Sequence, residues 1–393
     1  MRKTLVLAFA ATTALAVPNL NAQQQLRLTD AEAAFPESFS TVRGLEELDD
    51  GRLLIADGLG QALMIVDMNA GTADTIGRVG PGPQEYKTPD GLWRLPGGNW
   101  MLVDLGNGRL TMMDSDFKFG KTYPIMGQNP GGQGPGSILI RIPRGIDSQG
   151  RVYLQTSAGM TSDGQLRDSA AVIRWDPLTD AVDTIAMVKE GDRKLETSGG
   201  SNNRNISISS IPLSPRDGWA VAPDGRVALV RSGDYSIHWM DPDGSVTTGR
   251  SNAYEPVRIG QPEKEDWVDQ LGRNGLAIRV SINNGARQAS FSRGGPSRGG
   301  GGQSTDDYEW PEHMPAFNAP RIRVGPAGNL WVRRYGKKND DVVFDLFDGS
   351  GKLIKQVVLP PGRDIAGFGR GVVYTTAADE FDLIWLERFR LET

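Results

Sequence analysis

The stretch LWRLPGGNWMLVDLGNGRLTMMD, Leu92–Asp114, decides the fold. It reads as an apolar strand, a Gly turn, a second apolar strand, a polar loop, and a third strand closing in an acid. The apolar runs have strand length, and glycine supplies the positive φ that a tight turn needs. The unit recurs. LEELDDGRLLIAD and ALMIVD precede it at Leu45–Asp67. IDSQGRVYLQ with AVIRWD ends at Asp176, VAPDGRVALV with SIHWMD at Asp241, and VGPAGNLWVR with VVFDLFD at Asp348. The sixth copy, FGRGVVYTT with DLIWLERFR, carries Glu387 where the acid belongs.

After most closing acids comes a second turn and a fourth strand, as at DPDGS 241–245. One four-stranded unit cannot bury both faces of its sheet, so the copies must pack around an axis. Six such units make an all-β, six-bladed β-propeller. A sandwich or barrel is the alternative. The 50 glycines and 24 prolines suit a chain of many turns. The sixth copy lacks an outer strand, and the upstream segment Gln24–Asp30 is expected to supply it. That would close the ring by joining N- and C-terminal strands and hide a sheet edge.

MRKTLVLAFAATTALAVPNLNA, residues 1–22, has a basic start, a short apolar run and a small residue at its end. This is the pattern of a secretory signal peptide. The propeller is then residues 23–393, and the expected location is the periplasm or outside of a bacterial cell. Cleavage removes Arg2 and Lys3 and no acid, taking the net charge from −5 to −7. An acidic exported chain is a poor non-specific nucleic-acid binder. No other segment has the apolar length of a membrane span. The absence of cysteine excludes disulfides, thiol catalysis and Cys-type zinc sites.

Within the second copy, Asp104, Asn107, Arg109 and Asp114 stand at positions that resemble the NHL-type repeat. The first copy keeps Asp57 and Asp67 but not the Asn and Arg. The link GRVGPGPQEYKTP, Gly77–Pro89, is similar to a Gly-Pro-rich segment of exported bacterial six-bladed propeller proteins, with Gln84 where glycine is usual. The resemblance implies a fold and little about activity.

Strand direction sorts the loops. Links between blades, and loops between second and third strands, emerge on one face; the other face carries short turns. The first face holds the long segments, including Gly127–Pro143, Lys189–Pro215 and an insertion over 260–318 between blades four and five. Long loops on a rigid scaffold usually carry binding. In the insertion, residues 262–271 read as a short helix. Ala286–Gln303, rich in Gly, Ser and Arg, reads as disordered.

The inner strands enter the central channel from this face past Arg43, Arg144, Arg216, Arg321 and Arg363, with Asp90, Asp217 and Asp364 in partial opposition. Paired donors of guanidinium suit carboxylate, sulfate or phosphate. Glu85, Tyr86, Trp310 and His313 are expected to cover that mouth. The competing account pairs the arginines with these aspartates or with strand-end acids. HExxH and Walker sequences are absent, no GxSxG nucleophile elbow appears, and the two histidines form no metal motif. The expectation is therefore a non-catalytic binding propeller without a cofactor, recognising a small anion, a glycan or a partner protein. The alternative is a calcium-dependent lactonase- or esterase-like hydrolase, with Glu46, Glu47, Asp90, Asp217 and Asp364 as candidate oxygens. Acids closing the third strands lie too far out for that site and are expected to satisfy turn N–H groups.

Overall fold

A computed structural model describes residues 24–391 except 129–137, 162, 164, 201–202, 284–285 and 294–303. Residues 1–22, expected to be a signal peptide, and part of the Gly/Ser/Arg tract lie outside the described residues. Six antiparallel sheets carry the repeat. Their inner strands are Gly44–Glu47, Pro89–Arg94, Gly145–Ile146, Gly218–Val221, Phe317–Val324 and Arg363–Gly369. The chain is a six-bladed β-propeller. Among the described residues no helix is long and apolar enough to cross a membrane.

The core is divided by blade. Six buried apolar clusters lie one to each interface between neighbouring blades. Alternation within the strands produces this: each sheet sends one set of side chains to the blade before it and the other to the blade after it. Toward the axis the blades approach so closely that side chains do not fit. A Cβ on Gly44 would stand 2.6 Å from the backbone nitrogen of Leu92 in the next blade, and one on Gly218 would strike Ile322.

Four of the third-strand acids act as expected; Asp241 instead accepts from the Ser245 hydroxyl, and Asp243 takes the Ser245 N–H. Asp67 accepts from the N–H groups of Asn69 and Ala70 at 2.8 and 3.0 Å, and Asp348 from Ser350 and Lys352 at 2.9 and 3.0 Å. Asp114 and Asp176 bind their turns in the same way. Second-strand acids have a different task. Asp104, fully buried, accepts from the Lys87 N–H at 2.9 Å and from Asn107 Nδ2 at 2.7 Å. It thereby fixes the blade-one-to-two link against blade two. Gln84, which departs from the glycine of similar links, brackets the backbone of Phe119: its Nε2 donates to the carbonyl at 2.7 Å and its Oε1 accepts from the N–H at 3.3 Å.

Ring closure uses different residues from those expected. Gln25–Arg27 does not complete blade six; it runs parallel to Leu353–Leu359 as a fifth strand of blade five. Ala33–Ala34 pairs antiparallel with Ile384–Arg390 and supplies the outer strand of blade six. The reason is apolar anchorage. Leu28 is buried with blades five and six, while Phe35 and Phe39, whose ring centroids lie 5.6 Å apart, fill the seam between blades six and one.

The insertion is more ordered than its composition suggests. The helix extends over Gln261–Asn274, with Glu263 Oε2 accepting from the Gly260 N–H at 2.9 Å. Leu276–Asn283 and Ala286–Arg293 then pair as a hairpin, so the first part of the expected disordered tract is a strand. Leu276 and Phe291 pack on the apolar cluster of blades two and three. The insertion thus runs over the link face from blades four and five to blade two.

Candidate functional site

The arginines at the strand entrances do not share one fate. Arg144, immediately before the inner strand of blade three, lays its guanidinium 4.8 Å over the ring of Trp219 and donates to Gln155 Oε1 at 2.5 Å. Gln155 in turn donates to Glu190 and accepts from Trp219 Nε1 at 2.7 Å. Burial, and after it the neighbouring charge of Arg216, lowers the Arg144 pKa to about 10 against the pull of Glu190. A guanidinium stays protonated at that value. Arg216, two residues before the inner strand of blade four, has a buried Nε that meets no hydrogen-bond partner among the described residues.

Blade five brings three more basic groups. Arg321 and Arg323 are two apart on its inner strand and so point to the same side. Arg321 reaches Asp364 of blade six at 2.8 Å, and Arg333 of the second strand reaches the other oxygen of Asp364 at 3.4 Å. Tyr335, just past that strand, sits among Arg216, Arg321 and Arg333. Burial raises its pKa to about 12, although the three cations oppose the rise. Its hydroxyl is therefore a neutral donor at physiological pH. Burial also lowers the pKa of Arg323, despite Asp364 and Glu46 nearby. A cleft of about 340 Å³, lined in part by Tyr254, Val257, Pro315 and Tyr335, opens beside this cluster.

Three of the expected arginines, Arg144, Arg216 and Arg321, are thus gathered. Arg363 is not. It forms a two-bond ion pair with Glu387 of its own blade at 3.0 and 3.0 Å. Strand register explains this: Arg363 faces Ala377, and Glu387 faces Thr375 on that strand's other side, so both side chains share one sheet face. Arg43 stays at the head of blade one's inner strand, with its N–H on the Ala56 carbonyl at 2.9 Å. Asp217 binds Arg231 at 2.9 Å and the Ser232 N–H at 2.8 Å.

The expected covering residues have partners of their own. Tyr86 is 1% exposed in the core between blades one and two, and its hydroxyl accepts from the Leu63 N–H at 3.0 Å. Glu85 is held by its own turn, accepting from the Gly82 N–H at 2.7 Å and pairing with Arg78 at 2.7 Å. Trp310 packs edge-on with Trp267 and Tyr308 in the insertion and donates to the Thr305 carbonyl at 2.8 Å. His313 is exposed and bridges the backbone of Arg258. Sequence reasoning missed Arg323, Arg333, Tyr335 and Gln155. The Arg-x-Arg spacing at 321–323 was a usable signal for the first. Nothing in the sequence marked the end of a second strand as part of the mouth.

No family model matches the chain, and no curated protein matches it. Several solved structures do. One is a calcium-binding protein, regucalcin, from Agrobacterium tumefaciens, at 10% identity and TM-score 0.40 over 94% of this chain and 97% of that one. Another is virginiamycin B lyase from Staphylococcus aureus, at 13% identity and TM-score 0.38 over 92% and 99%. A third is the PQQ-bound aldose sugar dehydrogenase from Streptomyces coelicolor, at 13% identity and TM-score 0.44 over 92% and 97%. At such identities no activity passes from those proteins to this chain. The six-bladed assignment rests on its own sheets.

Proposed function

We propose that this chain is an exported bacterial binding propeller that captures a small anion, free or displayed on a glycan or partner protein, at the mouth of its central channel. The observation that carries this is the gathering of Arg216, Arg321 and Arg333 around Tyr335, with Arg144 beside Arg216 and with Asp364 the acid bonded to Arg321 and Arg333. Guanidinium groups in an enclosed, partly desolvated mouth attract anions more strongly than the same groups on an open surface. The site has this character although the whole chain is acidic. The calcium-dependent hydrolase has less support, because these cations repel a divalent metal from the same mouth. The decisive experiment is a thermal-shift screen of carboxylates, sulfates and phosphates, with calcium chloride alongside. A ligand of the native state raises the melting temperature. The expected outcome is a rise with anions that Arg216→Ala abolishes. A rise with calcium alone, coupled to ester or lactone hydrolysis, would overturn the proposal.

A further inference from the structure

The charge count at the mouth narrows the ligand class. Five guanidinium groups, from Arg144, Arg216, Arg321, Arg323 and Arg333, stand with the carboxyl groups of Asp364, Glu190 and Glu46. The balance is two positive charges when Glu46 is ionised. The groups also arrive from different directions. Arg216 comes from the link into blade four, Arg321 from the inner strand of blade five and Arg333 from its second strand. Arg321 and Arg333 each meet Asp364 through one terminal nitrogen. Arg216 pairs with no acid among the described residues, and its Nε is buried without a partner. A carboxylate offers two oxygens in one plane and one negative charge. Free sulfate or a phosphate monoester offers oxygens in three dimensions and two charges.

Resting on the anion-binding reading above, we infer that the mouth is specific for a dianionic tetrahedral oxyanion, a sulfate or a phosphate monoester, held between Arg216, Arg321 and Arg333 with the Tyr335 hydroxyl donating to it. Three guanidinium groups on separate elements fit three oxygens that a flat monoanion lacks. Tyr335, whose phenol keeps its proton among three cations, adds a neutral donor without adding charge. Monocarboxylates leave one positive charge uncompensated in the enclosed mouth.

The test uses the full chain at fixed ionic strength set with chloride. Sulfate, glycerol phosphate and acetate are titrated calorimetrically and by thermal shift. Sulfate and glycerol phosphate are expected to bind and raise the melting temperature, and acetate is not. A phosphate monoester loses its second proton at about pH 6, so its affinity should grow roughly tenfold between pH 5 and 7. Sulfate, fully ionised throughout, controls for titration of the protein: it should bind somewhat more weakly at pH 7 as Glu46 beside Arg323 gains charge, and the phosphate profile is read relative to it. Arg216→Gln and Tyr335→Phe should each weaken sulfate binding about tenfold while the unliganded melting temperature stays nearly constant. If Arg216→Gln does not fold, Arg333→Lys keeps the charge but loses the fork, and unaltered sulfate binding in it would count against the inference. Acetate binding as well as sulfate, or a flat phosphate profile, would overturn the dianion assignment and leave the anion-binding reading standing. No response to any of these anions would remove both.

Discussion

Arg109 reaches across to the buried carboxylate of Asp104 at 3.2 Å and spends its other donors on the link before it, holding the carbonyls of Gly82 and Glu85 at 2.9 and 2.7 Å. Asp104 is fully buried and Arg109 is only 18% exposed. The pair therefore acts as a staple between blade two and the strand-poor link from blade one. Arg109→Ala leaves Asp104 with a buried charge short of one partner. The expected cost is about 3 kcal/mol in denaturant melts. Arg109→Lys should recover less than half, because an ammonium cannot span both carbonyls and the carboxylate.

Asp364 gives a prediction of opposite signs. It bridges Arg321 and Arg333 across the interface between blades five and six. Asp364→Asn should lower stability by about 1–2 kcal/mol, since charge-assisted hydrogen bonds are lost. The same change removes a negative charge from the mouth, so anion affinity should rise. A variant that loses both stability and anion binding would show that Asp364 positions the arginines rather than competing with the ligand.

Glu46 predicts a pH dependence. Burial raises its pKa from 4.5 to about 7, outweighing the charges of Arg94 and Arg323. The folded chain thus binds this proton more tightly than the unfolded chain does. Below about pH 4.5 both states hold the proton and Glu46 costs nothing. Between about 4.5 and 7 the unfolded state releases it first, and stability falls as pH rises. Above 7 the full cost remains, on the order of 3 kcal/mol. Glu46→Gln should match the wild type near pH 4.5 and exceed it at pH 8. Equal stability of the two proteins at both pH values would contradict this.

Truncation separates the two N-terminal strands. Removing residues through Arg27 takes away only the fifth strand of blade five and should lower the melting temperature by a few degrees. Removing residues through Phe35 also exposes the outer edge of Ile384–Arg390 and empties the seam between blades six and one. That deletion should produce a protein that aggregates, as open sheet edges do. Phe35→Ala alone should cost about 3–5 kcal/mol, the usual range for a buried phenylalanine.

The blades were legible because their signals are local. Each Gly turn, alternating strand and closing aspartate lies within a short window, and the same window recurs. Ring closure was legible in kind, but its register was not. Gln25–Arg27 and Ala33–Ala34 are both strand-like, and the burial of Phe35 and Phe39 is settled by a partner surface formed hundreds of residues away. The mouth was half legible. Arg144, Arg216 and Arg321 could be found by asking where inner strands begin. Arg333 and Tyr335 belong to a second strand, whose end turns into the mouth only in three dimensions. Arg363 was assigned to the mouth from its position, and its register with Glu387 sends it to the sheet face instead. Tyr86 looked like a loop aromatic, but Leu63 and the blade interface claim it.

The seam has a temporal side. Glu32 pairs with Arg390 across a sequence separation of 358 residues. Synthesis delivers Glu32 long before Arg390. The earlier segment must wait, without its final partners, until all six blades have been made. Blades two to four can assemble from contacts close in sequence, whereas the join needs contacts of high loop-closure cost. Folding should thus end with a locking step whose rate responds to Phe35 and Ala33 and is insensitive to substitutions in blade three. Until that step occurs, the nascent ring has two unlatched ends and an exposed edge.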